Sequence, residues 1–109
     1  GRVLIADARV AGGFSNAGFL KKFAENLKET EQIIEKFGDQ LWPYVYSLLA
    51  HGYFRQLKDY NKAWYWIDRS EAFEPCYENY AHERREVIRD MKENKVPVPA
   101  AWIKKANYQ

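Results

Sequence analysis

Cys76, His51 and His82 carry the most reactive side chains of this chain, and they set the first question. A cysteine becomes a nucleophile when a neighbouring base takes its proton, and that base is commonly a histidine. Cys76 follows Pro75, with no glycine-rich turn beside it to supply an oxyanion-binding backbone. Neither histidine stands at a metal-ligand spacing from Cys76 or from a carboxylate. Carboxylates do pair at i and i+3, as Glu71 with Glu74 and Glu83 with Glu86. In di-metal bundles such pairs accompany a Glu-x-x-His arrangement, whereas His82 directly precedes Glu83 here. No Walker loop, GxGxxG, HExxH or GxSxG run occurs. The expectation is a non-enzymatic protein with no catalytic residue, no metal ligand and no cofactor.

Two groups of side chains are suited to binding instead. Arg85, Arg89 and Lys92 are spaced by four and three, so they share a helix face, and Lys104 and Lys105 follow near the C-terminus. Such a stripe can contact phosphates, which makes a nucleic-acid-binding module the alternative reading of the chain. Glu83, Glu86, Asp90 and Glu93 interleave with it, as on a solvated, ion-paired face. The second group is aromatic: four Trp, eight Tyr and six Phe, with Trp64, Tyr65 and Trp66 consecutive. Tyr60, Ala63, Trp64 and Ile67 share one helix face and read as core. Trp66 points about 200° away from Trp64 at 100° per residue. Either a neighbouring helix covers it or it faces a partner. Because Trp and Tyr anchor protein interfaces, Tyr65 and Trp66 join the partner-binding set.

Composition sets the frame. A chain of 109 residues is one domain by length, and 47% hydrophobic with 29% charged residues is globular. A net charge of +2 and a pI near 8.6 demand neither nucleic acid nor an anionic membrane. One cysteine excludes an internal disulfide and points to an intracellular, reducing compartment, with a mitochondrial or other organellar matrix equally compatible. No apolar run is long enough to span a bilayer. Gly1 in place of a methionine reads as a processed, trimmed or tagged start.

The elements follow from periodicity. Residues 1–14 read as an N-terminal tail with an apolar run, Val3-Leu4-Ile5, and a break at Gly12-Gly13. Ser15 caps a helix over 16–37, with a stripe at 20, 23, 27, 30, 34 and 37, closed by Gly38. A second helix opens at Asp39 or Trp42, takes Pro43 in its first turn and runs to Leu57. A third covers 60–73 and stops at Glu74-Pro75. A fourth covers 77–93, with Tyr77, Tyr80, Ala81, Arg84, Val87, Ile88 and Met91 inward and Asn94 as cap. Residues 95–109, with two prolines, read as an extended C-terminal tail bearing a hydrophobic hook at Trp102-Ile103. The predicted fold is all-α: an antiparallel bundle of about four helices over 15–94, flanked by two tails.

Helices two and three resemble one tetratricopeptide repeat (TPR), a 34-residue helix–turn–helix, from Tyr44 to Tyr77. Its first-helix signature falls on Ser47, Ala50, His51 and Phe54, its turn on Lys58-Asp59-Tyr60, and its second-helix signature on Ala63, Ile67 and Ser70, with Pro75 closing. Ser47 replaces the family's large apolar residue, and Gly52 stands one place late. In the next repeat from Glu78, Ala81 matches but Arg84 and Arg85 fall at packed positions. The resemblance implies a protein-binding scaffold or adaptor whose groove uses Val45, Leu48, Gly52, Arg55 and Gln56, the last two suited to a peptide carboxylate or backbone. With Trp102 and Ile103 as a hook that needs cover, the expected role is an accessory subunit that binds other protein subunits or a peptide segment.

Overall fold

The computed structural model describes residues 16–38 and 43–108. All regular structure among them is helical: α1 (Asn16–Phe37), α2 (Pro43–His51), a π-helical turn (Gly52–Gln56), α3 (Tyr60–Phe73), α4 (Tyr80–Glu93) and α5 (Ala100–Ala106). The all-α expectation holds, with five helices instead of about four. The chain divides into two compact units, Gly1–Leu41 and Trp42–Gln109. The expected tail at 1–14 with Val3-Leu4-Ile5, the Ser15 cap and the Asp39 or Trp42 helix start lie outside the described residues.

In the first unit, α1 buries Phe23, Leu27 and Ile34 along one face. The ends of the predicted stripe, Leu20 and Phe37, are exposed instead. Thr30 turns its hydroxyl back to the Asn26 carbonyl at 3.1 Å. Gly38 adopts φ +76 and donates its N–H to the Ile34 carbonyl at 2.7 Å, ending the helix as the sequence predicts.

The second unit is organised around α3. Asp59 caps it by accepting the Lys62 N–H at 3.2 Å. Just before, Lys58 sits in the left-handed region at φ +56, a conformation that costs a non-glycine residue about 1 kcal/mol. Tyr60, Ala63, Trp64, Trp66, Ile67 and Ser70 are all buried. That is more than one stripe, because α3 packs against α2 on one side and α4 on another. Trp66 is only 1% exposed and stacks on Tyr46 of α2, centroids 5.9 Å apart. Trp64 faces away toward α5, where the Trp102 ring lies parallel at 4.2 Å. The 200° between the two tryptophans therefore serves two neighbouring helices, and Trp66 as a partner-facing residue is corrected.

α4 begins at Tyr80, three residues later than predicted, after a turn fixed by the Tyr80 hydroxyl, which lies 2.7 Å from the Glu74 carbonyl. Ala81, expected inward, is exposed. Arg84 is indeed inward, at 3% exposure. Its guanidinium binds Asp68 and Glu71 of α3 at 2.8 Å each and lies 5.7 Å from the Trp64 ring centroid.

The C-terminal segment is not an extended tail. Pro99 precedes the first turn of α5, where a missing N–H is harmless. Trp102 is the stacking partner of Trp64, Lys105 reaches Asp68 at 3.1 Å, and Arg85 donates to the Ala106 carbonyl at 3.1 Å. Trp102 of the predicted hook thus packs on the chain itself, half-buried against Trp64. Pro97 and Pro99 mask the seven-residue helix that lies between them and Asn107.

Two substitutions test this packing. Trp66→Ala should cost about 3–5 kcal/mol in urea denaturation, as for other buried aromatics. Arg84→Ala should cost about 2 kcal/mol. That is less than a fully buried pair, because Asp68 and Glu71, 43% and 38% exposed, can return to water.

Candidate functional site

The side of α4 that faces α2 and the α2–α3 connection carries a row of carboxylates. Glu83, Glu86 and Asp90 are spaced by three and four, so they align on one face. Each meets a different group from the opposing elements. Ser47 of α2 donates its hydroxyl to Glu83 at 2.9 Å. Arg55 of the π turn donates to Glu86 at 3.2 Å, and Arg89 and His82 share the same carboxylate from within α4. Asp90 takes Lys58 at 3.0 Å and the Tyr60 hydroxyl at 2.8 Å.

The π turn places Arg55 there. Its hydrogen bond runs from the Leu57 N–H to the Gly52 carbonyl, at 3.3 Å, five residues back. The widened turn keeps Gly52, Tyr53 and Phe54 all buried and delivers Arg55 to α4. Beyond it opens a cleft of about 240 Å³ lined by Phe54, Arg55, Glu86, Arg89, Asp90 and Glu93.

Burial sets the proton affinities along the row. It pushes the Glu83 carboxyl up from the usual range, while the Ser47 hydrogen bond draws it back. Burial and then the Arg55 charge hold the His51 imidazole below its ordinary value. Burial and the hydrogen bond to Asp90 push the Tyr60 phenol up to about 12.

The residues singled out in the sequence scatter over several surfaces. Val45 and Leu48 are half-buried, while Arg55 and Gln56 are exposed. Tyr65 is 51% exposed on the outer side of α3. Ile103 is half-buried beside the α4–α5 connection. Arg85 and Lys105 are spent on α5 and Asp68, and Arg89 on Glu86. Lys92 lies over the Tyr108 ring, and Lys104 is exposed. The basic stripe is therefore not a continuous free surface.

The structure does not bring the reactive side chains together as a Cys-His pair. Cys76 is exposed, and no hydrogen bond joins it to His82, which pairs with Glu86 at 3.4 Å. Glu71, considered above as half of a metal pair, holds Arg84. No three His, Cys, Asp or Glu side chains converge to hold a metal ion among the described residues, and no described helix is long and apolar enough to cross a membrane. In the sequence, Glu83, Glu86 and Asp90 read as part of an ion-paired face interleaved with the basic stripe; their partners on α2 and the α2–α3 connection are brought to them only by the fold. Compared with protein families, curated proteins and solved structures, the chain matches none.

The row gives a signed pH prediction. Glu83 binds a proton more readily in the folded than in the unfolded chain. It therefore favours folding below the ordinary carboxyl range and opposes it once pH rises through its folded pKa. Glu83→Gln, whose amide oxygen still accepts from Ser47, should raise the melting temperature at pH 7. The gain should vanish as the wild-type carboxyl protonates in acid. A lower melting temperature at pH 7 would show that the charge itself stabilises the contact.

Proposed function

We propose that the chain is a non-enzymatic protein-binding module, an adaptor or accessory subunit of a larger protein assembly. The observation that carries this reading is the outer face of α3. Tyr65 and Phe73 are 51% and 43% exposed, and Arg69 stands between them, one turn from each. Arg69 donates to the Tyr65 hydroxyl at 3.1 Å and lies over the Trp66 ring at 5.2 Å, so the buried tryptophan supports the surface from beneath. Tyr44, at the start of α2, is 65% exposed. Aromatic and arginine side chains held rigidly at a surface are the groups that anchor protein interfaces.

The resemblance of α2 and α3 to a tetratricopeptide hairpin supports the same class. Ala63 is fully buried where two helices approach closely. Lys58 takes a left-handed conformation at the position where the family carries glycine. The π turn begins at Gly52, the point where the spacing slips by one residue from the family pattern. The alternative reading, nucleic-acid binding through Arg85, Arg89, Lys92, Lys104 and Lys105, is weakened because three of these are held in internal pairs. One exposed cysteine suits a reducing intracellular compartment.

The test is native mass spectrometry of the tagged chain purified from its own cells. The wild type should carry another protein in fixed stoichiometry. The double variant Tyr65→Ser, Phe73→Ser should lose it while its circular dichroism stays unchanged. A wild-type chain that runs alone, or a double variant that keeps its partner, overturns the proposal.

A further inference from the structure

A second surface lies on the far end of α4. Lys92, Lys95, Val96, Pro97, Val98 and Ile103 line an open dish of about 410 Å³. Two helix ends of the same design shape it. α4 closes with the Lys95 N–H on the Lys92 carbonyl at 3.1 Å and the Val96 N–H on the Met91 carbonyl at 2.9 Å. α5 closes likewise, Asn107 N–H on Lys104 at 3.1 Å and Tyr108 N–H on Ile103 at 3.0 Å. These paired bonds are the Schellman motif, whose turn residue must be left-handed. Lys95 meets that demand at φ +58 and Asn107 at φ +51. Asparagine tolerates the conformation well, but lysine is strained in it where glycine would not be.

No carboxylate of the described residues meets the charge at this dish. Arg55, Lys58, Arg84, Arg89 and Lys105 all reach carboxylates. Among the described residues, Lys92 and Lys95 reach none; Lys92 lies 5.2 Å from the Tyr108 ring centroid instead. A lysine in this strained conformation beside an apolar concavity points to a use for its ammonium group.

We propose that this dish docks an acidic segment of a partner protein, which seats one aliphatic side chain on Val96, Val98 and Ile103 and sets its flanking carboxylates against Lys92 and Lys95. The complementarity selects this occupant. Two ammonium groups are too few for a phosphate track, and the Tyr108 ring is covered by Lys92, so no base platform is free. A bilayer would need apolar groups that project, whereas these line a hollow. The site adds to the α3 face and draws on the protein-binding reading only for its class of partner.

The test titrates the full ¹⁵N-labelled chain with the capped peptide Asp-Asp-Leu-Asp-Asp and follows amide shifts. Saturable shifts are expected at Lys92, Lys95, Val96, Val98 and Ile103. Affinity should fall about tenfold with Asp-Asp-Ser-Asp-Asp, the loss of one buried aliphatic group, and at least as far in the variant Lys92→Glu, Lys95→Glu. Lys95→Gly should raise the melting temperature yet weaken the peptide, which a purely structural lysine would not do. Absent shifts, equal shifts with both peptides, or stronger shifts with an oligouridylate or with phosphatidylserine vesicles overturn the proposal. A co-purified partner that binds the double Glu variant undiminished also sinks it, while leaving the protein-binding function standing.

Discussion

Burying a guanidinium costs several kcal/mol unless carboxylates meet it, and the arrangement of α3, α4 and α5 turns on how Arg84 avoids that cost. Asp68 and Glu71, one turn apart on α3, take its two terminal nitrogens. Trp64 supplies a flat apolar surface beside it. The same Trp64 receives Trp102, and the same Asp68 receives Lys105, so α5 is held by residues already committed to Arg84. Three helices thus share one polar and aromatic junction. The Nε of Arg84 is buried with no hydrogen-bond partner, the residual cost of that geometry.

On its other side α4 meets α2 through a different kind of contact. Ser47, Arg55, Lys58 and Tyr60 face Glu83, Glu86 and Asp90 across a seam that is half open to water. Exposed pairs of this kind add little stability individually, but they fix register, since each partner sits at a different height along α4. The apolar side chains of these two helices, Tyr46, Leu49, Ala50, Val87 and Ile88, are all nearly inaccessible. Lys58 shows the two effects at one residue: its ion pair with Asp90 offsets part of the strain of its left-handed backbone.

Much of this was legible in the sequence. The bounds of α1 and α3, the Gly38 stop and the inward positions Tyr80, Arg84, Val87, Ile88 and Met91 of α4 come directly from helical periodicity and punctuation, which depend only on local spacing. Trp66 was not legible, because its phase shows that it leaves the Trp64 face but not that a second helix waits there. α5 was hidden by Pro97 and Pro99, which end one element and also permit the next. Arg84 and Ser47 looked like misfits at packed positions, since a single sequence does not show the carboxylates that come to meet them through space. Tyr65, beside Trp66 in sequence, is exposed on the outer side of α3, as a step of 100° per residue away from the buried face allows.

The wide turn at Gly52–Gln56 has a consequence for what changes this chain can accept. It holds one residue more than a regular helix would over the same rise, and one residue is worth about 100° of rotation. Everything after it, from Leu57 to the Asp59 cap, takes its bearing from that offset. Substitutions at exposed Gln56 would leave the bearing intact. A single-residue deletion there would be absorbed silently by the backbone as an unbroken α-helix, yet it would turn the exit toward α3 by more than a quarter of a circle. The segment is therefore lenient toward a change of letter and strict about length, the reverse of what surface connections usually show.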